Sequence, residues 1–144
     1  MALHRCRRPL ESRQSPNREV EEPASRSAFL AYGNGHWHLP SGHLEPGESI
    51  VATLIREAKE EIGITLAETA VEFVHVMHQN DDPDRMQFFY AATEWEGTPE
   101  ILEPDKCDGL GWFPVDRLPE PIIDYHFQAL EKIRRGRSFS LMGW

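Results

Sequence analysis

The chain has 144 residues, a formal net charge of −9 and 40% hydrophobic residues, which suits one domain able to bury a core of its own. Residues 31 to 144 carry nine basic against twenty acidic side chains, which argues against nucleic acid as a partner, because neutralising phosphates needs a basic surface. Two cysteines, Cys6 and Cys107, and the lack of any apolar run near the roughly 20 residues that span a bilayer argue against a disulfide framework, a structural zinc ribbon and a membrane helix, so no membrane association and a reducing, cytoplasmic setting are expected.

Residues 1 to 27 mix Arg, Ser, Pro and Glu with isolated apolar positions and fit no period of 2 or 3.6. They read as a mostly disordered segment, of the composition an altered start would produce, leaving a domain over residues 28 to 144. Ordered structure is expected to begin with Ala28 to Tyr32, turn at Gly33-Asn34-Gly35 and continue as a brief strand His36 to Leu39 stopped by Pro40. A glycine-bounded loop, Gly42 to Gly47, follows.

Ser49 is a candidate N-cap and Gly63 a candidate stop for a helix between them. Its apolar face is Ile50, Leu54, Ala58 and Ile62, with Val51 and Ile55 beside them. Downstream, Val71 to His78 reads as a strand buried on both faces, Met86 to Thr93 as a second and Gly109 to Phe113 as a third. The pattern of Ile122 to Arg135 is helical and stops at Gly136, leaving a tail to Trp144. The alternation of strands and helices gives an α/β (α+β) class.

Glu57 and Glu61 lie one turn apart on the helix with Glu60 flanking them, on the edge away from the apolar stripe. Like charges so spaced repel, so the cluster does not serve helix stability; a hard divalent cation would convert that cost into a gain, and Mg²⁺ or Mn²⁺ suits oxygen ligands. A Glu-rich stretch is more often a solvated face, but here the spacing is demanding. Gly42, five residues, Glu48, seven residues, Arg56-Glu57-Ala58, then Glu60-Glu61, Gly63 and Ile64 resembles the 23-residue Nudix box of the MutT-like pyrophosphohydrolases at every fixed position.

The resemblance implies a Nudix-type α/β/α sandwich around a mixed sheet. It implies hydrolysis of a diphosphate linkage in a small-molecule nucleoside diphosphate derivative, with a nucleoside triphosphate or related nucleotide favoured, using Mg²⁺ or Mn²⁺. It makes Glu57, Glu60 and Glu61 metal ligands, pairs Arg56 with Glu48 to fix the loop against the helix, and gives Gly42 and Gly63 tight turns. Glu103 is the candidate fourth ligand or general base, with Glu100 or Asp105 as replacements and Glu57 as a competing base. His38 would line the substrate cleft, and Trp37, Phe88, Tyr90 and Trp112 would offer faces to a nucleobase, although each aromatic also suits a core; the His36, His38 and His43 pattern would otherwise suggest zinc. A noncatalytic nucleotide-sensing domain is the alternative, as is a diphosphate isomerase of the same fold. The latter needs a cysteine near the cleft, where Cys107 is not expected. Upstream of Trp37 the chain offers little for an N-terminal strand, so the sheet is expected to lack one or to borrow it from a second copy in a homodimer.

Overall fold

The computed structural model describes residues 2–5, 26–32 and 34–144. Strand β1 is Ala2–Arg5, β2 Arg26–Tyr32 and β3 Trp37–His38; helix α1 is Ile50–Ile62; a 3₁₀ turn, Glu68–Ala70, leads into β4, Val71–Gln79; β5 is Arg85–Ala92, β6 Cys107–Pro114, α2 Asp124–Arg134 and β7 Phe139–Met142. A mixed four-stranded sheet runs in the order β1-β5-β4-β7, with β1 parallel to β5, β4 antiparallel to β5 and β7 parallel to β4. A second, antiparallel sheet runs β3-β2-β6. The fold is therefore of the mixed α+β class, and no helix among the described residues is long and apolar enough to cross a membrane.

The sheets separate two cores. Adjacent residues on a strand point to opposite faces, so Leu30 joins α1 through Leu54, Ala58 and Ile62, while Phe29 joins α2 through Ala129 and Leu130. The first core also takes Ile64, Leu66, Ala92 and Cys107, and the second takes Leu39, Met77 and Phe89.

Helix α1 has the limits its caps set. Ser49 Oγ accepts from the Ala52 N–H at 3.1 Å, satisfying one of the amides a first turn leaves unpaired. At the other end Gly63 adopts φ +70°, its N–H meets the Lys59 carbonyl at 3.1 Å, and the Ile64 N–H reaches back to Ala58 at 3.3 Å, closing the last turn through a left-handed residue.

Four expectations need correction. A strand is not missing at the N-terminus: β1 lies parallel to β5 with Ala2 opposite Phe89 and Arg5 opposite Ala92, which removes the ground for a strand borrowed from a homodimer partner. Residues 2–5, 26 and 27 are thus in strands rather than disordered; the rest of that expectation, residues 6–25, lies outside the described residues. Strand β4 is not buried on both faces, since Glu72 and Phe73 are exposed and only His75 and Met77 are buried. The tail after Gly136 is not a loose end: β7 pairs with β4 from Phe139 opposite Val76 to Met142 opposite Gln79. It is pinned by His75, whose Nδ1 donates to the Arg137 carbonyl at 2.7 Å and whose Nε2 contacts Ser140 Oγ at 2.8 Å.

Gly63→Ala would place a Cβ 3.3 Å from Leu102 Cδ1 at a left-handed φ, and it is expected to cost about 1–2 kcal/mol in urea unfolding. A variant as stable as the parent would contradict the left-handed cap.

Candidate active site

The loop between β3 and α1 closes over one edge of the helix through a single guanidinium. Arg56 Nε donates to Glu48 Oε1 at 2.9 Å and Nη2 to Glu48 Oε2 at 3.1 Å, a bidentate pair. Its Nη1 reaches Glu57 Oε1 and Glu60 Oε2, both at 2.9 Å, and Nη2 also reaches the His43 carbonyl at 3.2 Å. These contacts, with the Thr53 hydroxyl donating to Glu48 Oε2 at 2.8 Å, hold the Glu48 carboxyl well below its ordinary range, at about 2. The expected Glu48–Arg56 pair is therefore present, and Thr53 is a partner that sequence reading missed.

Gly42 has a role other than the expected turn. A Cβ there would overlap the Glu57 carboxyl, so the glycine lets the loop backbone lie directly on that side chain. One residue earlier, the Ser41 N–H donates to Glu61 Oε2 at 2.9 Å. The loop thereby contacts both carboxylates of the inner edge.

Those carboxylates open on a cavity of about 770 Å³. Its lining includes Glu57 and Glu61 of α1 with Glu103, Arg85, Met86, Gln87 and Phe88 of β5, and Tyr32, Cys107 and Tyr125. Glu103 is delivered by the end of α1: the Glu100 N–H caps the Ile62 carbonyl at 3.1 Å and the Leu102 N–H caps Glu61 at 3.0 Å, so carbonyls left open by the helix terminus fix the loop that carries it. Glu60 stands apart, more than half exposed, outside the cavity lining and held on Arg56.

Burial pushes the Glu61 carboxyl up to about 8, with the Ser41 N–H opposing that shift and the charges of Glu57 and Glu103 adding to it. The donor set suits a hard cation: carboxylate oxygens from Glu57, Glu61 and Glu103 face one cavity whose like charges raise Glu61. As the side chains stand, no group of three carboxylate, imidazole or thiolate ligands among the described residues is gathered closely enough to hold a metal. The carboxylates are partly turned to cations of the chain, Glu57 and Glu60 to Arg56 and Glu103 to Lys106 at 2.6 Å.

Of the sequence candidates for the substrate cleft, Phe88 lines the cavity and the others lie elsewhere, Trp112 being stacked on Trp95. Trp37 packs edge-on to Phe113 in the α2-side core, and Tyr90 packs against Phe73 and the α1-side core; neither lines the cavity. His38 is buried one layer behind it, stacked on Tyr32 with ring centres 3.9 Å apart. Conversely, Cys107 does line the cavity, because the turn at Glu103 starts β6 beneath it. Its Sγ lies 3.6 Å from His38 Nε2, and burial pushes the thiol up to about 11. Tyr32, Arg85, Lys106 and Tyr125 carried no pattern that marks them as cavity residues.

A NUDIX domain family model matches residues 24–133. The chain belongs to the Nudix family. It is 32% identical over 90 residues to the human 8-oxo-dGDP phosphatase NUDT18, an alignment covering 61% of this chain and 27% of that protein. It is 40% identical over 55 residues to the asymmetrical bis(5'-nucleosyl)-tetraphosphatase of Sus scrofa, covering 37% of each. The chain thus spans little more than a quarter of the length of the first of these relatives. Among solved Nudix structures, the MutT NUDIX hydrolase from Burkholderia pseudomallei superposes with a TM-score of 0.70 at 26% identity, covering 90% of this chain and 92% of that one.

Glu61 links the Nudix site to stability. The folded chain holds a proton that the unfolded chain, titrating near 4.5, releases, so the fold binds more protons and stability falls as pH rises from about 4.5 toward about 8. In the presence of a chelator the parent is expected to lose on the order of a few kcal/mol across that window, and Glu61→Gln to flatten the slope. Equal slopes in urea unfolding would remove Glu61 as the source.

Proposed function

We propose that this Nudix domain is a Mg²⁺- or Mn²⁺-dependent hydrolase of a diphosphate linkage in a nucleotide, with a nucleoside triphosphate or related nucleotide as the favoured substrate. The observation that carries this reading is that Glu57, Glu61 and Glu103 line one cavity, Glu61 within the field of the other two, behind a loop locked by Arg56. Glu57, Glu61 and Glu103 would hold the cation, together with Glu60, to which the Nudix resemblance gives a ligand's role. When bound, such a cation supplies positive charge against the phosphoryl oxygens and acidifies water.

The residues of the chain supply the rest. Arg56 fixes the rotamers of Glu57 and Glu60, so the carboxylates are positioned before substrate arrives. Glu103, on a loop capped onto α1, is the group proposed to take the proton of the attacking water, with Glu57 as its competitor. Tyr32, Phe88 and Tyr125 give the cavity aromatic surfaces on which a base can stack. The names of the relatives, an 8-oxo-dGDP phosphatase and a bis(5'-nucleosyl)-tetraphosphatase, support a nucleotide class without choosing within it. Cys107, a protonated thiol aimed at His38, favours the hydrolase over an isomerase that would need it reactive.

The test is cation-dependent phosphate release screened over nucleoside triphosphates, nucleotide sugars, dinucleotides and dinucleoside polyphosphates, with Glu57→Gln, Glu60→Gln, Glu61→Gln and Glu103→Gln beside the parent. Glu57→Gln and Glu61→Gln are expected to lose about a hundredfold or more in kcat, the scale of several kcal/mol of transition-state stabilisation. Unchanged turnover in both would sink the assignment of the carboxylate wall, and a parent that binds nucleotide without turnover would favour the sensing alternative.

A further inference from the structure

Two cations of the chain serve the carboxylate wall, and they are held very differently. Arg56 is locked by Glu48, Glu57, Glu60 and the His43 carbonyl. Lys106 is two-thirds exposed, and among the described residues its Nζ pairs with Glu103 Oε1 at 2.6 Å.

That contact is set by a tight turn. The Lys106 and Cys107 N–H groups both donate to the Glu103 carbonyl at 3.0 Å, which folds the lysine back over the carboxylate three residues before it. The ammonium sits within the field of Glu57 and Glu61 as well and lines the cavity. Arg85, the other cation of the lining, is paired with Asp81 at 3.6 Å and belongs to β5. A substrate bringing phosphates to this wall meets three carboxylates in a chain of net charge −9, so a freed cation beside them has an evident use.

We propose that Lys106 is an exchangeable counter-ion: its ammonium occupies the Glu103 carboxylate until a divalent cation takes that oxygen, and then passes to a phosphate oxygen of the substrate. The proposal rests on the hydrolase reading above. An exposed pair of this kind is weak and easily displaced, and the four-carbon stem of lysine allows the ammonium to be re-aimed without moving the backbone. Because the ammonium and the divalent cation compete for one oxygen, removing the first must tighten binding of the second.

Calorimetric titration with Mn²⁺ alone is expected to show Lys106→Met binding the ion about fivefold or more tightly than the parent. Imidodiphosphate, a non-hydrolysable diphosphate, titrated with Mg²⁺ present, is expected to bind that variant about tenfold more weakly, as loss of a charge-assisted contact requires. Lys106→Arg is expected to restore most of both parental values, and Arg85→Met to leave the Mn²⁺ affinity as it was. The proposal is overturned by a Mn²⁺ affinity that is unchanged or weaker in Lys106→Met, by unchanged imidodiphosphate binding, by equal tightening in Arg85→Met, or by a parent that binds no Mn²⁺. Neither titration needs turnover. A chain that binds both probes yet releases phosphate from no substrate therefore fails the hydrolase reading alone, and the titrations still decide the role of Lys106.

Discussion

The Arg56 guanidinium is the interaction on which the rest of the site depends. Glu57, Glu60 and Glu61 crowd one edge of a thirteen-residue helix, an arrangement that opposes helix formation on electrostatic grounds. One planar cation bonded to both oxygens of Glu48, to Glu57 and to Glu60 offsets that repulsion and ties the preceding loop to the helix in the same step. A lysine could supply the charge but not the fork, because its donors radiate from one point. With the loop fixed, the Ser41 N–H lies on Glu61 and the bare backbone of Gly42 lies on Glu57. The loop, the helix and the acidic wall are mechanically one unit.

The other end of α1 performs a second alignment. The Gly63 cap ends the helix with open carbonyls, and the loop at Glu100 to Leu102 closes those of Glu61 and Ile62. Glu103 follows directly, so a residue some forty positions from the helix in sequence is placed by the helix's own terminus. The buried face of α1 gives this geometry its rigidity: Leu54, Ala58 and Ile62 are almost inaccessible and pack on Leu30, Ala92 and Cys107 from three different strands.

What was legible in the sequence follows the range of the physics. The limits of α1, its N-cap and its glycine stop depend on residues close in sequence and are found where the local pattern put them, and the Glu48–Arg56 pair is found where the Nudix resemblance implied it. Strands β1 and β7 are held by parallel pairing to distant strands, and their few residues carry too little alternation to reveal it. Of the aromatic candidates only Phe88 lines the cavity; Trp37 and Tyr90 pack into the cores, while Tyr32 and Tyr125 reach the lining through tertiary placement that no local pattern marks. Cys107 was misplaced because the turn at Glu103, which starts β6 beneath the cavity, is itself fixed by the distant end of α1.

Behind the cavity lies a surface of opposite character to the acidic wall. The Leu39 carbonyl accepts from His38 Nδ1 at 2.8 Å, which leaves Nε2 as the acceptor facing the Cys107 thiol. Burial lowers the pKa of His38 and lowers that of His126 further, with His38 adding to the latter. Both rings are therefore neutral near pH 7. The same burial keeps the thiol protonated, so Tyr32 stacks on an uncharged imidazole and presents its other face to the cavity. The cavity lining thus combines carboxylates with the aromatic side chains of Tyr32, Phe88 and Tyr125. A nucleotide makes the same pairing, of a phosphate chain that needs cations with a base that needs a flat apolar partner. That combination, carboxylates placed by a local charge network and aromatic rings placed by tertiary packing, is a stronger argument for a nucleotide than either feature alone.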